Sequence, residues 1–347
     1  MTTGTSERQV GIGLIGAGSI GAMHANILTT LVRQANLIAV TDVDDGLAAS
    51  CAAQFGPRAY STVEDLLANP EVAAVIIAAP PKTHCGLIEL AAGAGKHVFC
   101  EKPLGWQVDE VDQALAEVRR AGIKLQVGFN RRFDVNVRRV KELVSNGDLG
   151  RLLTLHIIGR DPVDVRQPGR DDGDLFLDTM IHDLDLARFV IGKEPMSVFT
   201  QGGVMAEEPL DDPDTAVTTL RFEDGATAII DDSRVSQHGS DQRLEAFGTK
   251  GMASIVNEQC DRVSIATGTE VSAAGPSGLP GEPDRLDPPE PYFAKRYLDS
   301  YVAELRSFAD CILENTDPVV TGEDGRAAVA LAWASFRSYR DGLPISL

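Results

Sequence analysis

Residues 10–33 join three patterns without a break: the β-branched run Val10-Gly11-Ile12-Gly13-Leu14-Ile15, the cluster Gly16-Ala17-Gly18-Ser19-Ile20-Gly21, and a helical stretch over Ile20 to Arg33. A strand that turns through G-x-G-x-x-G into a helix constrains the fold more than any other feature of this chain. The first glycine permits the tight turn, the second lets backbone approach a pyrophosphate, and the third lets the helix pack closely on the strand. Asp42 follows Gly21 by 21 positions, at the end of the second expected strand, where an acceptor for a ribose 2′-hydroxyl belongs. Its carboxylate would repel a 2′-phosphate, and Val43-Asp44-Asp45 adds negative charge with no arginine nearby, so NAD is favoured over NADP. Gly16, Gly18, Ser19, Ile20, Gly21, Asp42 and Val43 are the expected cofactor-binding residues. The competing reading is a glycine turn in a doubly wound protein that binds no dinucleotide, or binds S-adenosylmethionine.

From Val10 to about Phe129, short β-branched runs alternate with helical ones, as βαβ units require. Strands are expected at Val10 to Ile15, Leu37 to Thr41, Ala74 to Ala78, His97 to Cys100 and Lys124 to Gly128. Helices are expected at Ile20 to Arg33, Asp45 to Phe55, Val63 to Ala68, Thr83 to Ala94 and Val108 to Ala121. After Asn130 the rhythm changes to a helix near Val135 to Asn146 and strands at Leu152 to Ile158, Val198 to Gly202, Ala216 to Phe222, Ala226 to Val235, Arg243 to Gly248 and Met252 to Val256. Turns such as Glu223-Asp224-Gly225 and Thr249-Lys250-Gly251 join most of these as antiparallel hairpins. Further helices are expected at Asp178 to Ile191, Arg296 to Glu314 and Gly322 to Tyr339, and Gly275 to Pro291 reads as a long surface loop. The fold class is thus α/β, with a Rossmann domain over 9–128 and an α+β domain over 129–347, matching the two domains that ~150 residues apiece implies.

Charge narrows the partners. Thirty-two Lys and Arg against 51 Asp and Glu give a net charge of −19, which repels nucleic acid and anionic membrane surfaces. Five cysteines without a CxxC pair argue against a disulfide framework or a zinc site, so no metal is expected. Met1 to Gln9 is polar, and the longest apolar run, Val72 to Ala79, is far too short to span a bilayer. The expectation is a soluble cytoplasmic protein.

Two segments carry candidate chemistry. In Glu101-Lys102-Pro103, Lys102 follows a strand and so projects from the carboxyl edge of the sheet, where open α/β sheets bind ligands. A cis bond at Pro103 would fix its direction, and the alternative is an ordinary surface lysine. Asp178 and His182 stand at i and i+4 on one helix face. With an unperturbed pKa of ~6.5, imidazole is the side chain best suited to take a hydroxyl proton near neutral pH. A carboxylate one turn away would orient the ring, whereas the alternative is an N-cap aspartate and a core histidine.

The Gly-Ala-Gly-Ser-Ile-Gly-x-x-His fingerprint ending at His24, the run Gly95 to Pro103, and the Asp178 and His182 pair resemble the Gfo/Idh/MocA oxidoreductases. Gly128 to Asp134, Arg160-Asp161-Pro162, Leu175 to Phe189, Asp214 to Val217 and Asp241-Gln242-Arg243 are similar to the inositol 2-dehydrogenases within that family. The resemblance covers about residues 9 to 343. It implies a Rossmann domain followed by an open-faced, mostly antiparallel sheet, assembly into homotetramers through that sheet, and NAD-dependent oxidation of a ring hydroxyl to a ketone. It further implies a catalytic trio of Lys102, Asp178 and His182. His182 would accept the hydroxyl proton, Asp178 would orient and polarise His182, and Lys102 would stabilise the reacting oxygen while hydride passes to the nicotinamide C4. Arg132, Asp161, Asp241 and Tyr297 would be further substrate contacts, with ion pairing as the alternative for Arg132 and Asp241. Ala79, Pro80, Thr83, His84, Glu101 and Lys102 would line the cofactor side. Two positions depart from the family pattern: Ser240 stands where an aromatic is frequent, and Asp174 where Gly-Gly is. The substrate class therefore extends from myo- and scyllo-inositol to deoxy- and aminocyclitols and pyranoses. An NAD-using glycoside hydrolase and a non-catalytic NAD-binding sensor are the remaining alternatives.

Overall fold

The computed structural model describes residues 8–162, 174–205, 213–236, 240–256, 263–267, 270–274 and 296–347. The loop expected over Gly275 to Pro291 lies outside them. The chain divides into two compact units, one formed by Met1–Asn130 with Asp299–Val329 and the other by Arg131–Leu298 with Ala330–Leu347.

The first unit holds a six-stranded parallel sheet made of β1 (Val10–Ile15), β2 (Ala35–Thr41), β3 (Arg58–Tyr60), β4 (Ala74–Ile77), β5 (His97–Glu101) and β6 (Leu125–Gly128). Its order, β3-β2-β1-β4-β5-β6, reverses between β1 and β4, and ligands of doubly wound sheets bind at such a crevice. Both faces are covered, so central strands read as unbroken apolar runs, and all four residues of β4 are buried. The helices on the sheet are α1 (Ser19–Thr30), α2 (Asp45–Phe55), α3 (Val63–Leu67), α4 (His84–Gly93) and α5 (Val108–Ala121). Local chemistry sets their ends. Asp44 caps α2 by accepting from Gly46 N, while α5 opens with Asp109 and Glu110 and closes with Arg119, Arg120 and the left-handed Gly122. The strand β3 was not expected, because three residues at a sheet edge carry too little pattern to read.

The second unit begins with α6 (Val135–Ser145) and β7 (Leu152–Pro162), then passes through a π-helical turn (Leu175–Met180) into α7 (Ile181–Ile191). Its sheet continues with β8 (Ser197–Gly203), β9 (Thr215–Arg221), β10 (Thr227–Ser236), β11 (Asp241–Gly248), β12 (Gly251–Ile255), β13 (Val263–Thr267), β14 (Glu270–Ala274) and β15 (Ile345–Ser346). The order is β14-β13-β12-β11-β7-β10-β9-β8-β15. Every pairing is antiparallel except β7 with β10, which run parallel at the centre. The expected hairpins are there, but a parallel pair between strands distant in sequence leaves no turn to read. Leu155, Ile157, Ala228 and Ile230 bury one face of the sheet, whereas Val217 and Phe247 on the other are exposed.

Two helices complete the chain, α8 (Leu298–Leu313) and α9 (Gly322–Asp341), the latter starting in the first unit and ending in the second. Their division corrects the expectation that 129–347 forms a single second domain. Gln126 Nε2 donates to Glu304 O at 2.9 Å, Val127 N to Val320 O at 3.1 Å, and a side chain at Gly322 would strike Leu115. The edge strand β6 is thus satisfied by a segment almost 200 residues downstream, which periodicity cannot reveal.

Candidate active site

At the carboxyl end of the parallel sheet, Gly16 adopts φ +96°, and a Cβ there would lie 2.5 Å from Ala78 O. At Gly21 it would lie 2.0 Å from Gly16 O, so glycine is required at both positions, whereas the Cβ direction of Gly18 opens into space. Helix α1 has no acidic residue in its first turn and no side-chain cap, which leaves its positive end available to an anion. Asp42 is preset: Oδ2 accepts from Ala17 N at 2.6 Å and Oδ1 from Asp44 N at 2.9 Å, beside a fully exposed Val43. An open phosphate approach and an oriented carboxylate at the end of β2 fit an adenosine dinucleotide.

His84 differs from expectation. Its ring is sealed from solvent, with Nδ1 2.7 Å from Pro103 O and Nε2 2.8 Å from Ala79 O, so it braces the ends of β4 and β5 instead of facing a ligand. Burial lowers its pKa against the opposing pull of those carbonyls. Glu101 is a brace too, bonded through Oε1 to His24 Nε2 at 2.6 Å and accepting the Lys102 N–H at 3.2 Å. The Lys102–Pro103 bond is cis. In the run 98–105 only Lys102 is half-exposed; its neighbours are buried.

Near Glu101 lies Glu304, fully buried, with neither carboxyl oxygen hydrogen-bonded among the described residues. Burial, reinforced by the charge of Glu101, holds its pKa well above the usual range. The folded chain therefore keeps a proton that the unfolded chain releases near pH ~4.3, and stability falls as pH rises above that value, by up to ~1.4 kcal/mol per unit. Glu304→Gln removes this penalty. Urea midpoints measured from pH 5 to 8 should show its advantage over wild type growing with pH; a constant difference would contradict a protonated Glu304.

In the second unit, residues 174–188 are buried at every position except Asp178 and His182, which are both half-exposed and one turn apart. The helix that presents them is held by pairs that sequence reasoning missed. Arg131 Nη1 donates to Asp183 Oδ1 at 2.7 Å, and Arg132 binds Asp185 through Nε at 2.7 Å and Nη2 at 2.6 Å. The alternation Arg131-Arg132 against Asp183-x-Asp185 was the available signal. It corrects the expectation for Arg132, whose buried guanidinium is committed to Asp185 and lies over the Phe189 ring. Among the described residues, Asp183 Oδ2 and both oxygens of Asp232 have no hydrogen-bond partner, and a side chain at Gly159 would collide with both groups. Burial and the Asp183 charge raise the Asp232 pKa strongly.

Asp241 also departs from its expected role. Arg243 grips it at 2.8 Å through Nε and Nη2, Arg160 approaches at 3.5 Å, and Arg160 also pairs with Asp231. Strand alternation puts this network on the sheet face opposite Asp232. Tyr297 is buried between the guanidinium groups of Arg131 and Arg296, 5.5 and 5.1 Å from its ring centre. Asp161 is half-exposed and acts electrostatically on Arg131.

A family model described as "Oxidoreductase family, NAD-binding Rossmann fold" matches residues 10–129, and the "GFO/IDH/MocA C-terminal domain" matches residues 137–254. The chain is 37% identical to the myo-inositol 2-dehydrogenase of Thermotoga maritima, covering 97% of this chain and 98% of that protein. It is 35% identical to an inositol 2-dehydrogenase of Rhizobium meliloti, covering 97% and 99%. Among solved structures, scyllo-inositol dehydrogenase from Lactobacillus casei with bound NAD(H) and scyllo-inositol matches with TM-score 0.83 and 27% identity, covering 98% and 99%.

Proposed function

The chain belongs to the GFO/IDH/MocA family of NAD-binding oxidoreductases, and from that membership we propose that it oxidises a ring hydroxyl of myo- or scyllo-inositol, or of a related cyclitol, to the ketone. The observation that carries the site assignment is the exposure pattern: Asp178 and His182 are the half-exposed residues of an otherwise buried run, and Lys102 is the half-exposed residue of another. Bound NAD supplies the hydride acceptor. His182 accepts the hydroxyl proton as the carbon–hydrogen bond breaks, and its half-exposed ring can pass that proton to water. Asp178 stabilises the imidazolium, and Lys102 donates a hydrogen bond to the oxygen as negative charge grows there. A screen of inositols, aminocyclitols and pyranoses with NAD, followed by absorbance of reduced cofactor, tests this reading. Turnover of an inositol supports it, and inertness toward every polyol contradicts it.

Asp42 governs the choice of dinucleotide. Asp42→Ser removes a charged acceptor worth ~1.5–3 kcal/mol, so NAD should bind ~10–100-fold more weakly while NADP gains ground. An unchanged ratio of kcat/KM values for the two cofactors would exclude that role. The exposed sheet face bearing Val217 and Phe247 is our candidate for the homotetramer interface, with light scattering as its check. Among the described residues no helix is long and apolar enough to cross a membrane. The four cysteines among the described residues, all buried and free, and the use of NAD support a cytoplasmic setting.

A further inference from the structure

The π-helical turn ahead of His182 is gripped from β10 by a single side chain. Arg234 is buried and directs its donors to three residues, Asp174 just ahead of that turn and Asp178 and Thr179 within it. Nε donates to Thr179 Oγ1 at 2.8 Å, Nη1 to Asp174 Oδ2 at 2.7 Å, and Nη2 to both Asp174 O at 2.8 Å and Asp178 Oδ2 at 3.2 Å. The strand beneath is anchored in turn, since Arg234 N donates to Asp214 O at 2.8 Å. We propose that Arg234 is a positioning residue of the oxidation, acting through Asp178 on His182; the inference rests on the roles proposed above for those two residues.

Geometry and charge both support it. A π-helical turn carries one residue more than an α-helical turn, an arrangement that persists where something outside the helix holds it. Here a planar guanidinium holds the backbone oxygen at its start, the hydroxyl of Thr179 and the carboxylate of Asp178 together. An ammonium has no fork with which to do this. The closer carboxylate contact is to Asp174, at 2.7 Å against 3.2 Å for Asp178. The longer contact orients Asp178, whose carboxylate is the group that an imidazolium at His182 needs. Asp174, a departure from the family pattern at the sequence level, thus acquires a function as the counter-ion of the clamp. Arg131 and Arg132 hold the later residues Asp183 and Asp185, so Arg234 alone among these three arginines reaches a residue proposed to take part in the reaction.

Arg234→Ala, Arg234→Lys and His182→Ala, assayed with NAD and whichever of myo- or scyllo-inositol the wild type turns over, test the proposal. Arg234→Ala should lower kcat by ~10²-fold, the usual cost of a misplaced catalytic group, with KM for NAD unchanged. Millimolar guanidinium should restore several-fold of the loss, and ammonium should not. Loss without guanidinium rescue would mark a purely structural arginine and overturn the proposal, as would wild-type kcat. Should the alanine variant fail to fold, Arg234→Lys decides: kcat reduced at unchanged NAD KM supports the clamp, and wild-type kcat sinks it. His182→Ala separates the two readings, because a fast His182→Ala enzyme removes the base assignment itself, whereas a slow one beside a fast Arg234→Lys removes only the clamp.

Discussion

His182→Ala is expected to lower kcat for inositol oxidation by ~10²–10⁴-fold, the range that a general base contributes, while leaving NAD affinity and stability near those of wild type. The expectation of an intact fold follows from the packing of α7. Its neighbours Asp183 and Asp185 stay paired with Arg131 and Arg132, and His182 is half-exposed, so its removal opens little space in the core. Residual turnover should rise steeply with pH as hydroxide replaces the imidazole. Stopped-flow rates with wild type and variant across pH 6 to 10 measure this, and near-normal rates at neutral pH would strip His182 of its role.

Arg132→Met should destabilise the chain by ~3–5 kcal/mol, because Asp185 is left as a buried charge after losing a bidentate partner. Arg188, 3.6 Å from Asp185, also pairs with Glu194 at 2.6 Å. The urea midpoint should fall, and the double variant Arg132→Met with Asp185→Leu should recover most of the loss, since replacing both members removes the buried charge together with its bidentate partner. A substrate-contacting Arg132 would behave in the opposite way, raising KM for the polyol at an unchanged midpoint.

These contrasts show where sequence was legible. Local patterns were: β1, α2 and α5 fall on their expected bounds, and Gly16, Gly21 and Asp42 have the geometry their motif requires. The spacing that singled out Asp178 and His182 survives the change from a π-helical turn to an α-helix, and both residues are half-exposed. What stayed hidden was pairing over long separations. Arg132 and Asp185 are 53 residues apart, Arg234 and Asp174 are 60 apart, and Gln126 meets Glu304 across 178. A charged residue reads the same whether it meets a buried counter-ion or a ligand, so Arg132 and Asp241 were expected at a substrate rim while Arg234 passed unnoticed. His84 was misjudged for a related reason: the strand-end carbonyls that enclose its ring come from two different loops.

The most direct test of the chemistry uses myo-inositol carrying deuterium at the oxidised carbon, incubated with NAD, with the reduced nicotinamide analysed by mass spectrometry and proton NMR. Our account expects one deuterium per turnover at the nicotinamide C4 and a primary isotope effect on kcat/KM. Deuterium released to water, or an unlabelled cofactor, would contradict direct hydride transfer.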